Sequence, residues 1–234
     1  MIRSHLACWF TVGSLMLQGA PRPPKVDERS AEALVRAVVE RLEPLSREAA
    51  LASFEASVSG KDEDYARAEA LQLQVRKVYA DPDVFEKLAA FRSSKALKDP
   101  ILKRQVEVLY LGFLGNRLPE ATLAELVKRQ TEIEKRFNTF RATFDGRSWT
   151  DNEVEAILRQ STDSETVAKA WKASKDVGGL VASQVRDLVK LRNRAARELG
   201  FPNFHVMQLA LGEQEPREIE RLFDELDRLT RPAY

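Results

Sequence analysis

Histidine and cysteine are almost missing from this chain. Its 234 residues include two His and one Cys. A lone Cys excludes an intramolecular disulfide framework and a Cys-based zinc ribbon. The two histidines, His5 and His205, are far apart in sequence, so no helix carries two imidazoles one turn apart. An excess of one charge is also missing. The 37 Lys+Arg against 36 Asp+Glu leave a formal net charge of +1, which argues against a basic nucleic-acid binder and against an acidic tail protein. Glycine and proline, ten of each, are too few for a turn-rich all-β protein. What is present, 44% hydrophobic and 31% charged residues, is the composition of a globular chain rather than a disordered one.

The first twenty residues differ from the rest. Arg3 supplies a positive start, and Leu6 to Leu17 is largely apolar, within the h-region range of about 7–15 residues. A membrane span needs about 20. Residues 1–20 are therefore expected to be a secretory signal peptide, which places the protein in a secreted or periplasmic setting. The cleavage site is weak, because Gln18 stands where a small residue is wanted and Pro21 follows Ala20. The alternative is a misplaced start codon or a buried N-terminal segment. Residues 21–29, with Pro21 to Pro24, read as an extended linker.

From Ser30 onward the periodicity is helical. Leu34, Val35, Val38, Val39 and Leu42 make one stripe, and Pro44 kinks this helix or opens a second that Gly60 ends. Asp62 to Tyr79 is the next helix. Asp81-Pro82 and Asp99-Pro100 each place a cap and an N1 proline before a helix. Pro119 opens a helix to about Phe140, with Leu123, Leu126, Val127, Ile133 and Phe137 inward. Asp145-Gly146 marks a turn. Thr150 with Glu153, and Thr162 with Glu165, read as capping boxes. Gly178-Gly179 interrupts a long helix, by a bend or a close neighbour. Val185, Leu188, Val189, Ala196 and Leu199 then form a stripe ending at Gly200. Pro216 starts a last helix, with Ile219, Leu222, Phe223, Leu226 and Leu229 on one face. No segment alternates long enough to be a strand, so the class is all-α, and no fixed repeat points to a solenoid.

No constellation in this chain carries chemistry. His205 has no ligand partner and reads as a surface or packing histidine. Lys61-Asp62-Glu63-Asp64 puts negative charge at a helix start, where it complements the dipole. No Gly-x-Ser-x-Gly, phosphate loop or calcium loop exists. Arg186, Lys190, Arg192, Arg194 and Arg197 crowd one helix. They read as a solvated or ion-paired face, with anion or nucleic-acid contact as the alternative. No residue is assigned as catalytic, cofactor-binding or metal-binding.

Residues 163–234 nevertheless have a specific look. Lys169-Ala170-Trp171 leads through Asp176 and Gly179 to Leu188-Val189-Lys190. There follows Leu191-Arg192-Asn193-Arg194-Ala195-Ala196-Arg197-Glu198-Leu199-Gly200-Phe201, then Glu220-Arg221-Leu222-Phe223-Asp224-Glu225-Leu226. This order resembles the peptidyl-dipeptidase A family, the angiotensin-converting-enzyme-like zinc peptidases. There an Ala-Trp helix precedes a Leu-x-Asn-x-Ala-Ala-Arg-x-x-Gly-aromatic helix and a Glu-Arg-Leu-Phe-x-Glu-Leu helix. From about residue 30 to 160 only the order and length of helices agree.

The resemblance implies a mostly helical, secreted or periplasmic peptidase. Two halves flank a deep cleft, and N-terminal helices act as a lid that admits small peptides. It implies zinc, held by a His-Glu-x-x-His helix and a downstream Glu, with the motif Glu as general base. None of those residues occurs in this sequence, so none is carried over. Some animal members hold chloride with an Arg shortly after the Ala-Trp pair. This sequence has Leu180 there, and chloride dependence is not carried over. Residues 30–234 are thus expected to be the lid and half-domain of a peptidase, incomplete without its C-terminal half. Alone, the chain is expected to bind no zinc and no nucleic acid, and to cut no peptide. The alternatives are a non-enzymatic helical module that binds a peptide or partner helix, and a fragment of a related oligopeptidase.

Overall fold

The first helix is set by its capping box. The Asp27 carboxylate accepts from the Ser30 backbone N–H at 2.9 Å, and the Ser30 hydroxyl accepts from the Asp27 N–H at 3.3 Å. The structure, a computed structural model, describes residues 26–234. The expected signal peptide and residues 21–25 of the expected linker lie outside the described residues. Helix α1 (Glu28–Ser59) begins inside the segment read as linker and runs unbroken through Pro44. Proline removes one N–H from the ladder. Pro44 is solvent-exposed, so water can satisfy the carbonyl left behind. Gly60, at φ 69°, closes the helix in the left-handed conformation that glycine takes most easily.

Helices α2 (Asp62–Tyr79), α3 (Pro82–Ser93) and α4 (Pro100–Leu114) follow, the last two capped by Asp81 and Asp99 as their sequences dictate. With α1 they enclose the largest core. Val35, Val38, Leu42, Phe85, Leu88, Val106 and Phe113 are buried there. Leu88 and Phe113 are fully buried. Each such side chain contributes about 1.5–3 kcal/mol by leaving water.

Helix α5 (Glu120–Thr139) buries Leu123, Val127 and Thr131. Asn138 continues that line by donating to the Tyr65 hydroxyl at 3.1 Å. Phe137, expected inward, lies one position off the line and is 56% exposed. The expectation of no strands is corrected in one place. Ala142–Phe144 (β1) pairs antiparallel with Arg147–Trp149 (β2). Asp145 and Gly146 both take positive φ, 51° and 73°, which is the two-residue turn matched to strand twist. Phe144 and Trp149 stack at 4.9 Å between ring centroids.

Helix α6 (Asp151–Gln160) has the expected Thr150–Glu153 capping box. Helix α7 (Ser164–Glu198) has a different cap from the one expected. Its N-cap is Asp163, whose carboxylate accepts from the Glu165 and Thr166 N–H groups and the Thr166 hydroxyl. A carboxylate is the stronger acceptor, so Thr162 is not used. Nor does Gly178-Gly179 interrupt α7, and a Cβ at either would meet open space. The buried line of α7 runs through Ala170, Ala173, Val181, Leu188, Leu191, Ala195 and Ala196. Val185 and Val189, expected inward, sit on its shoulder at 40% and 47% exposed. The helix ends in a paired cap. Gly200 at φ 88° donates to the Arg197 carbonyl, and Phe201 donates to the Ala196 carbonyl at 2.9 Å. Helices α8 (Phe204–Leu211) and α9 (Pro216–Thr230) and a 3-10 turn (Arg231–Ala233) complete an all-α chain with one small hairpin.

Candidate functional site

Two glycines shape a concavity between the helices. A Cβ on Gly112 would stand 2.9 Å from Cε1 of Tyr79, and one on Gly115 would stand 2.7 Å from Cδ1 of Leu211. Without these Cβ atoms α4 makes room for the Tyr79 ring of α2 on one side and the Leu211 side chain of α8 on the other. The start of α8 is tied to α7, because Asn193 accepts from the Phe204 N–H at 2.9 Å. Between α2, α4, α5, α7 and α8 there remains a cavity of about 670 Å³.

Its polar lining is mostly cationic. Arg76 of α2 donates to Oδ1 of Asn116 at 3.1 Å. That amide is itself fixed, since Nδ2 of Asn116 donates to the Gly112 carbonyl at 2.8 Å. Arg192 of α7 donates to Oε1 of Gln130 at 3.0 Å, and Gln130 donates onward to Glu134 at 2.9 Å. The Phe204 ring lies 5.0 Å from the Arg192 guanidinium carbon, within cation–π range. Neither arginine forms an ion pair with a carboxylate among the described residues. Burial, and then the nearby Arg192 charge, pull the Arg76 guanidinium below its ordinary pKa. Burial does the same to Arg192, against a weaker pull from Glu134. Both stay protonated at neutral pH, because a guanidinium titrates so far above it.

At the rim, Arg104 and Glu213 form a bidentate pair, with Nη2 to Oε2 at 2.6 Å. Glu213 occupies the left-handed position that ends α8, at φ 57°, where glycine is usual. Its N–H donates to the Ala210 carbonyl at 3.1 Å and that of Gln214 to the Leu209 carbonyl at 2.8 Å. Val108, Leu111, Phe204, Met207 and Leu211 form an apolar wall.

Of the charged features singled out in sequence, one enters this cavity. Within the basic run of α7, Lys190 pairs with Asp187 at 3.3 Å, Arg194 and Arg197 are exposed, and Arg192 turns inward. Arg76 carries no signal in sequence, where it is one charge among many on an amphipathic helix. His205 is exposed. The acidic start of α2 lies on its first turn, with Asp62 bridged to Lys135 at 2.7 Å.

The described residues do not fit a catalytic zinc. Among the described residues no group of three or more His, Cys, Asp or Glu side chains converges. The cavity offers three arginines and a single carboxylate that is already paired. No helix among the described residues is long and apolar enough to cross a membrane. A family model described as angiotensin-converting enzyme matches residues 25–234. Comparison with curated proteins gives no match.

Proposed function

The chain belongs to the angiotensin-converting enzyme family of peptidases, and from that premise we propose that it is the N-terminal part of a secreted zinc peptidyl-dipeptidase acting on small peptides. In this reading its helices form the lid and one flank of the substrate cleft. The zinc ligands and the general base belong to polypeptide outside this sequence. One observation carries the division of labour: a family match along nearly the whole chain coexists with only two histidines and no His-Glu-x-x-His. Secretion rests on Arg3 and the apolar run from Leu6 to Leu17.

The family's chemistry needs a metal to lower the pKa of water and polarise the scissile carbonyl. This chain's part is to bound the cleft and exclude large substrates. The exposed apolar face of α9, where Leu222, Phe223, Leu226 and Leu229 are 47–65% exposed, supports the reading. Such a face is what a half-domain turns toward its other half. The same face is compatible with a helix-binding module, which needs no metal.

The test is direct. The purified chain, dialysed against zinc and assayed on short peptides, is expected to retain no stoichiometric zinc and to release no dipeptide. Stoichiometric zinc with chelator-sensitive release would overturn the proposal. The coding sequence after codon 234 separates the two readings: a continued frame with His-Glu-x-x-His supports the peptidase, and an immediate stop supports the module.

A further inference from the structure

We propose that the cavity between α2, α4, α5, α7 and α8 binds a small organic carboxylate, gripped by the Arg76 and Arg192 guanidiniums, with its carbon chain against the apolar wall. The inference stands apart from the peptidase reading, since it needs neither zinc nor a catalytic base.

The argument begins with an imbalance. Arg76, Arg104 and Arg192 face the cavity against Glu213 alone. Glu213 is taken up by Arg104 at the rim, so the two inner cations are not neutralised by it. Each inner guanidinium spends a donor on a neutral amide oxygen, Asn116 or Gln130, and keeps others free. Arg192 stands close enough to depress the protonation of Arg76, and two like charges are costly to hold together in a half-buried site. An anion between them removes that cost, and a guanidinium's planar fork matches a carboxylate.

The wall decides what kind of anion. Val108, Leu111, Met207 and Leu211 line the cavity together with the arginines, and the Phe204 ring lies beside Arg192. An inorganic ion would leave that surface wet, whereas a carboxylate with an aliphatic or aromatic body covers it. The volume, about 670 Å³, lies inside the range of about 300–1,000 Å³ typical of small-molecule sites. The site is also held in place beforehand. Asn116 is anchored to Gly112, Gln130 to Glu134, and Phe204 to Asn193.

Calorimetric titration of the purified 234-residue chain with hexanoate, at neutral pH and low salt, tests this. Hexanoate is expected to bind saturably with one-to-one stoichiometry, and hexanol, its neutral counterpart, not to bind. Acetyl-Gly-Leu and its C-terminal amide form a second pair of arms. Binding of the acid but not the amide, more tightly than hexanoate, identifies a peptide C-terminus as the source of the carboxylate. Tighter hexanoate identifies a free organic acid. Arg192→Gln is expected to weaken binding tenfold or more, Arg192→Lys to weaken it less, and the exposed Arg194→Gln to leave it unchanged. Arg76→Gln should match Arg192→Gln; if that more buried variant fails to fold, the Arg192 series still decides. Absence of saturable binding by both acids would overturn the proposal. So would equal weakening by Arg194→Gln, or chloride or inorganic phosphate binding as tightly as hexanoate.

Discussion

Glu28 ties distant parts of the chain together through two backbone amides. Its carboxylate accepts from the N–H groups of Lys98 and Asp99, the latter at 2.9 Å, and so joins the start of α1 to the start of α4. Those bonds, Asp99 first and Lys98 next, hold the Glu28 carboxyl below its ordinary value of 4.5. A carboxylate with a depressed folded-state pKa stabilises the fold above its unfolded value, and this contribution fades as pH falls through the folded value. Glu28→Gln is therefore expected to lower the melting temperature by a few degrees at pH 7. The gap to the unaltered protein should close as pH is taken below 4.5. A gap that persists in acid would show that the carboxylate's charge is not the cause. Local caps such as Asp81, Asp99 and Thr150 were legible in sequence because donor and acceptor lie within one turn. The Glu28 bond and the Arg76 side of the cavity were not, because their partners are distant in the chain and depend on how helices pack.

Helix α7 shows where periodicity and packing part company. Its 35 residues pass through Gly178-Gly179 without a break, although two adjacent glycines cost helix stability. Neither glycine has positive φ, and neither has a neighbour that a Cβ would meet. Replacing both with alanine should stabilise the chain by about 1–2 kcal/mol, chiefly by restricting the unfolded state. Urea unfolding measures this directly. A loss of stability would mean that another helix packs closely over these glycines in solution, a role for them that an isolated chain does not reveal. Helix existence was legible along nearly the whole sequence. On α7 the expected stripe is too wide: Leu188 and Ala196 are buried, whereas Val185 and Val189 continue an apolar pattern that no neighbouring element covers. The hairpin was missed for a related reason: strands of three residues are too short to show alternation, and only Asp145-Gly146 betrayed them.

At the scale of the whole molecule, the question is what the uncovered faces do. Helix α9 has no buried residue, although its apolar side chains all fall on one side. Trp171, Leu180, Val185 and Val189 add 40–53% exposed apolar surface along α7. An apolar face such as that of α9 drives association when nothing else covers it. The purified chain is therefore expected to self-associate at micromolar concentration, as seen by sedimentation velocity. Replacing Phe223 and Leu226 together by Ser should shift it toward monomer. Because those side chains are 65% and 47% exposed, the substitutions remove little buried contact, and stability to urea should change by less than about 0.5 kcal/mol. A monomeric wild-type chain with a sharp, concentration-independent melt would instead mean that the α9 face tolerates water, which counts against a half-domain awaiting its complement. Monomerisation accompanied by a large stability loss would mean that association and folding of this chain are one event, as in obligate oligomers.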